Sequence, residues 1–178
     1  MACNQTLTNL TRQCSDRNNK GGLYTEVIIA EWDKVTLTKN SDGDITAITL
    51  AQDASWYTYQ FAKGAAVFGS EYTFDGETGD KQFCTNTLTI NFKKQDASKR
   101  TSLVGLCNSE VFILVKDANG IWYVMGSEEY VSCNSANSTT GQQRTDSNQY
   151  TVSLVDTTQD YAPIVSDAIV QTALHPGQ

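Results

Sequence analysis

The stretch from Asn86 to Met125 restricts the fold more than any other part of the chain, because four structural signals follow one another there without a gap. Thr87–Phe92 alternates, with Leu88, Ile90 and Phe92 on one face and Thr87, Thr89 and Asn91 on the other, the period of a half-buried strand. Asp96 then stands where an N-cap belongs, and Ala97–Cys107 predicts a helix of about three turns. Its apolar residues Leu103, Val104, Leu106 and Cys107 crowd into the second half, so the helix should pack one end on a sheet while Lys99 and Arg100 face out. Val111–Val115 is apolar at every position, which suits a strand covered on both faces, and Asp117-Ala118-Asn119-Gly120 turns the chain into Ile121–Met125 as a central hairpin. Every polar residue of this unit has a structural task, and none is arranged for chemistry.

On the N-terminal side, a polar leader over 1–20 precedes a strand over Leu23–Trp32. Val35–Thr38 and Ile45–Leu50 flank the Asp42-Gly43 signal and predict a hairpin. Trp56–Phe61 alternates with Tyr57, Tyr59 and Phe61 on one face. Residues 62–82 are rich in glycine and acid, with a strand at Ala66–Phe74, and read as an exposed hairpin or arm. On the C-terminal side, Glu128–Cys133 reads as a short strand and 134–148 as a long polar loop that buries almost nothing. Gln149–Asp156 closes the sheet, with Tyr150, Val152 and Leu154 on one face. Within 160–178, Ile164, Val165, Ala168, Ile169, Thr172 and Ala173 share one side of a helix, so this terminal arm is a short helix or an extended segment that needs a surface to dock on. The 178 residues form one domain, 39% hydrophobic with two prolines, and the valine, isoleucine, threonine and aromatic content leans to β structure.

Several functions are excluded by what these residues cannot do. The lone histidine, His175, sits near the terminus as a poor general base, and neither a Gly-x-Ser-x-Gly elbow nor a phosphate-binding glycine loop is present. The acidic pairs Asp42/Asp44, Asp75/Glu77 and Glu128/Glu129 fall in turns and charged loops, as solvated surface rather than a cation site or a glycosidase dyad. Trp32, Trp56, Tyr57, Tyr59, Trp122 and Tyr123 lie on predicted strands, where packing is a better reading than a sugar platform. Cys3, Cys14, Cys84, Cys107 and Cys133 are odd in number and include no Cys-x-x-Cys; they read as free, mostly buried thiols, with a Cys3–Cys14 bridge left open. Asn4, Asn9 and Asn137 begin Asn-x-Thr triplets, but the polar start lacks a signal-peptide pattern, and the expectation is a soluble chain made in a cytosol. Net charge is −7 with a pI near 4.6, which opposes tight binding of nucleic acid. The reading is therefore a protein that is not an enzyme, with no catalytic residues, no metal and no cofactor.

Asn86–Phe92, Asp96–Arg100, Asp117–Gly126 and Thr140-Gly141, in the order they take between Thr87 and Thr151, resemble the structural proteins of tailed bacteriophages that infect Bacteroidales. Within that group the likeness is to tail-tube-like proteins. The resemblance implies a β-sandwich or small barrel with one flanking helix. It also implies self-association into rings, hexameric by family likeness, stacked around the channel through which the genome is ejected. The implied partners are further copies and other virion tail proteins, with DNA passing the lumen without specific binding, and the implied location is the virion tail after synthesis in the host bacterial cytoplasm. The Cys-containing leader Met1–Arg17 departs from a plain tube subunit and leaves open a tail terminator, connector-ring or collar. A decoration module holding a host glycan or protein is the alternative from the binding class.

Overall fold

The apolar run Val111–Val115 lies inside the molecule, and the other elements arrange themselves on its two sides. The computed structural model describes residues 8–176 and consists mainly of β-strands with two helices. β1 (Leu23–Glu31), the hairpin β2 (Val35–Lys39) and β3 (Ile45–Leu50), and β4 (Tyr57–Gln60) come first. β5 (Ala66–Phe74), β6 (Lys81–Lys93), helix α1 (Ala97–Cys107), β7 (Val111–Asp117) and β8 (Trp122–Met125) follow. β9 (Ser132–Thr139), β10 (Gln149–Thr158), β11 (Ile164–Val165) and helix α2 (Asp167–Leu174) complete the chain. One sheet has the order β11-β8-β7-β1-β4, a second β5-β6-β10-β9, and β2 pairs only with β3. The strand pairings are antiparallel. Neither large sheet closes on itself among the described residues, so the small-barrel form of the expectation is not what these strands build.

Alternation assigns each face. Val27 and Ile29 of β1 and Ile113 and Val115 of β7 point toward the four-stranded sheet, where they meet Leu88, Ile90, Phe92, Val152 and Leu154. Ile28, Phe112 and Leu114 point the opposite way, into a second core with Ile45 and Ile48 of β3 and Val170 and Ala173 of α2. Each such side chain contributes about 1.5–3 kcal/mol by leaving water. Continuous apolar runs in β1 and β7 are thus explained by two cores, one on each face of the same sheet.

Helix α1 carries the chain from one large sheet to the other. The Asp96 side chain accepts from the Lys99 backbone N–H at 2.8 Å, and this bond, with the nearby Lys99 ammonium, holds its carboxyl below the usual range. Leu103 and Leu106 enter the inter-sheet core, while Val104 stays exposed. Lys99 does not simply face out: its ammonium donates to the carbonyls of Lys93 and Lys94, which lie free because Lys94 turns the chain with φ 64°. Arg100 is exposed as expected.

Three segments differ from the sequence reading. The expected strand Glu128–Cys133 and loop 134–148 are redistributed: the strand is β9, Ser132–Thr139, and only the turn after it is loop. That turn is tied down, since Lys94 N–H donates to the Asn148 carbonyl, Gln95 reaches the Thr139 and Gln149 carbonyls, and Asp146 accepts from the Gln142 and Gln143 N–H groups. With only Cys133 and Ala136 as apolar residues, three positions apart, β9 offers no alternation to read. In the C-terminal segment Asp167–Leu174 forms the helix of the two alternatives, capped by Ser166, and docks on β3 within the same chain, whereas Ile164 and Val165, expected on the same helix face, pair with β8 as the short strand β11. Residues 66–74 form a strand paired along its length with β6, and only the turn after Phe74 projects. In the leader, Cys14–Asn18 makes an exposed 3-10 turn; Cys3 lies outside the described residues, and with it any pairing with Cys14.

Candidate functional site

The four-stranded sheet is covered on one face and open on the other, and its two edges set it apart. β5 supplies nine residues of edge and β9 eight, against four for β4 and two for β11 in the other sheet. An open strand edge presents unpaired backbone donors and acceptors that can template another strand, and edges are ordinarily blunted by charge, proline or shortness. β9 has no charged residue and no proline, and β5 has only Glu71. The strand directions are also compatible with continuation. β6 reverses β5, β10 reverses β6 and β9 reverses β10, so β9 of one copy beside β5 of the next would again be antiparallel.

The open face of this sheet is built by the outward half of the alternation. Thr85, Thr87 and Thr89 of β6 stand beside Thr151, Ser153 and Thr157 of β10, each half-buried among its neighbours. Thr151 Oγ1 donates to Asn91 Oδ1 at 2.6 Å, and Gln149 Nε2 donates to the same oxygen at 3.3 Å. The result is a field of hydroxyl and amide groups interrupted by Val155, opposite Thr87, and by the exposed Val67 of β5, opposite Thr89, with Glu71 and Lys93 toward its margins.

At one end of the sheet the inward half turns polar. Asn86, Asp156 and Thr158 are buried, continuing the face of Leu88 and Leu154. Ser70 Oγ donates to Asn86 Oδ1, Asn86 Nδ2 donates to Thr158 Oγ1 at 2.9 Å, and Thr158 donates to the Asp160 carbonyl. The Asp160 carboxylate accepts from Lys81 and from Tyr72 O–H, while Tyr72 stacks obliquely on Tyr161 at 4.3 Å. This cluster fastens the far end of β5 to the segment after β10. Asp156 is different: Gly126 N–H donates to Oδ2 at 2.7 Å, Oδ1 has no partner, and burial pushes its carboxyl above the usual range. Sequence reading missed it, although its place in the β10 alternation was the available signal.

The acidic pairs hold turns. Asp42 and Asp44 N–H groups both donate to Asn40 Oδ1. Asp75 accepts from the Thr78 and Glu77 N–H groups, which hold its carboxyl below the usual range. Glu128 accepts from the Gln159 N–H, and with Glu129, Glu110, Trp32 and Tyr130 it borders a groove of about 500 Å³. No group of three or more His, Cys, Asp or Glu among the described residues is placed to hold a metal ion. Most of the aromatics pack. The indole N–H groups of Trp32, Trp56 and Trp122 donate to Gly126 O, Ala173 O and Asp167 Oδ1, and Tyr123 lies against Phe68 at 5.3 Å. Of the six aromatics on the predicted strands, Tyr57 is the one that stays exposed, at 51%. His175 forms the C-cap of α2. No helix among the described residues is long and apolar enough to cross a membrane.

Cys14 is exposed, Cys84 buried, and Cys107 and Cys133 half-buried and in contact. Spacing of 26 residues gave no hint of that meeting. No protein-family model matches the sequence, and no curated protein is significantly similar to it.

Proposed function

We propose that this chain is a non-enzymatic virion structural protein, a tail-tube-like subunit that self-associates into rings by continuing its four-stranded sheet from copy to copy. The observation that carries the reading is the pair of long edges, β5 with Glu71 as its one charge and β9 with none, running in opposite directions. Such edges suit a head-to-tail contact, which closes into a ring when the rotation between copies allows it. The two open sheets stacked on one core are those of a β-sandwich, and the sandwich supplies a rigid block on which both edges are held.

In this arrangement the hydroxyl face of the four-stranded sheet lines the channel. Among its central residues Thr87, Thr89, Thr151 and Ser153 there is no cation to grip phosphate, so DNA passes without specific binding. The surface charge of −7 per copy adds a weak long-range repulsion. The wall in this arrangement is uncharged at its centre, although the subunit is acidic. The hexameric count, the other tail proteins as neighbours and the virion location, after synthesis in the bacterial cytoplasm, follow the resemblance in Asn86–Gly126.

The test is light scattering of the purified chain across a concentration series, with negative-stain imaging of each species, for the natural sequence and for Asn137→Lys and Val67→Lys. Rings or tubes that vanish in both variants, while the circular-dichroism spectrum stays unchanged, support the reading. Rings formed equally well by both variants would rule out assembly through these edges. A chain that stays monomeric at high concentration and binds a host glycan or protein would favour the decoration module.

A further inference from the structure

The last residue of α1, Cys107, and the second residue of β9, Cys133, place their sulfurs 3.0 Å apart. This is nearer than two unbonded, non-hydrogen-bonded sulfurs approach. The meeting depends on a bulge. Pairing of β9 with β10 passes from Ser135 opposite Ser153 to Cys133 opposite Leu154, leaving Asn134 without a counterpart. A bulge of this kind bends the strand and re-aims the side chain beside it. Both cysteines touch the inter-sheet core, and Cys107 also borders a groove of about 470 Å³ between α1 and the β9–β10 face, flanked by Leu103, Ala136 and Tyr150. A small reagent can therefore reach the pair from that side.

We propose that Cys107 and Cys133 are a reversible dithiol–disulfide site that staples the C-terminal end of α1 to the β9 bulge. The sulfurs need to close by about 1 Å to reach a bond of about 2.05 Å. The oxidant is a small-molecule disulfide of the glutathione type. The thiolate of one cysteine attacks one of its sulfurs and expels one thiolate, leaving a mixed disulfide on that cysteine. The other cysteine's sulfur, after losing its proton, attacks the cysteine sulfur of that mixed disulfide and expels the second thiolate. One S–S bond breaks in the oxidant and one forms in the protein, and two protons and two electrons pass from the cysteines to the two released thiols. Burial first, then the neighbouring Cys133, pushes the Cys107 thiol up to about 12, so the exchange, which requires Cys107 to lose its proton, quickens as pH rises. In a reducing cytosol the site stays a dithiol, and it closes once the protein reaches an oxidising medium. The inference goes beyond the assembly reading and does not rest on it, since a monomer contains the whole site.

The experiment is to equilibrate the folded, full chain with graded ratios of oxidised to reduced glutathione, quench by alkylation, and map the peptides by mass. The expected result is loss of two hydrogens, a single Cys107–Cys133 linkage, and a Tm higher by roughly 5–10 °C in the closed form. Cys107→Ser and Cys133→Ser should each abolish the shift, and Cys14→Ser should retain it. Cys107 and Cys133 both remaining alkylatable in excess oxidised glutathione would overturn the proposal. So would a mixed disulfide on either cysteine that never closes, or a linkage that maps to Cys14 or Cys84. Because the natural chain alone decides the matter, poor folding of either serine variant does not obscure the result.

Discussion

The five-stranded and four-stranded sheets are made from similar side chains yet are finished in opposite ways. The five-stranded sheet is covered on both faces, by the four-stranded sheet on one side and by β2, β3 and α2 on the other, and its edges are two and four residues long. The four-stranded sheet is covered on one face and has edges of eight and nine residues. Folding energy is thus concentrated where nothing further can attach, and backbone hydrogen-bonding capacity is left where little apolar area is buried. A molecule divided in this way can be perturbed in its stability and in its association separately.

The sharpest break would come from the doubly covered sheet. Phe112→Ala empties a site that is 1% exposed in the second core, and a loss of about 3–5 kcal/mol is expected in urea unfolding. A loss under 1 kcal/mol would mean that β2, β3 and α2 contribute little, and the contrast between the sheets would collapse.

Next in size is the polar end of the inter-sheet core. Asp156→Ala strands the Gly126 N–H and should cost on the order of 1–3 kcal/mol. The natural residue adds a pH signature. Burial raises its folded pKa above that of the unfolded chain, so the folded state keeps a proton that the unfolded state has released. Its contribution to stability therefore falls as pH rises from the ordinary carboxylate range toward the raised value. Asp156→Asn should remove that fall, gaining on the natural chain as pH rises above the ordinary carboxylate range in paired urea titrations. Parallel curves for the two proteins would show that Asp156 ionises freely.

Asp96→Ala removes the cap of α1 at an expected cost of about 1 kcal/mol, measurable as a shift in thermal midpoint without change in the association state. The smallest stability effect belongs to the open sheet. Asn137→Lys should change unfolding free energy by less than about 0.5 kcal/mol while removing association through the β9 edge. Should that substitution destabilise the monomer by 2 kcal/mol or more, the edge is a structural element and not a vacant one.

Much of this architecture is legible in the residues. The alternation of Thr87–Phe92, the Asp96 cap, the uninterrupted Val111–Val115 and the Asp42-Gly43 and Asn119-Gly120 turns each fix a local geometry through sterics or a short-range hydrogen bond. The observed elements follow them closely. Even the double coverage of β7 can be read from its unbroken apolar run Val111–Val115. The C-terminal helix is foreshadowed by the spacing of Ile164 to Ala173, though its docking partner β3 is not.

Read from the residues alone, the chain yields most of its elements, their turns and the face that each alternating strand turns toward an apolar core. Only the tertiary structure decided which sheet each strand joins, that the uncharged Ser132–Thr139 is a strand at all, that Asp156 is buried with one oxygen unpartnered, and that Cys107 meets Cys133. Local signals act between residues a few positions apart, and side-chain chemistry records them. Strand partnership is made by backbone N–H and C=O groups that every residue carries alike, so the choice among partners is settled only when the whole chain has packed.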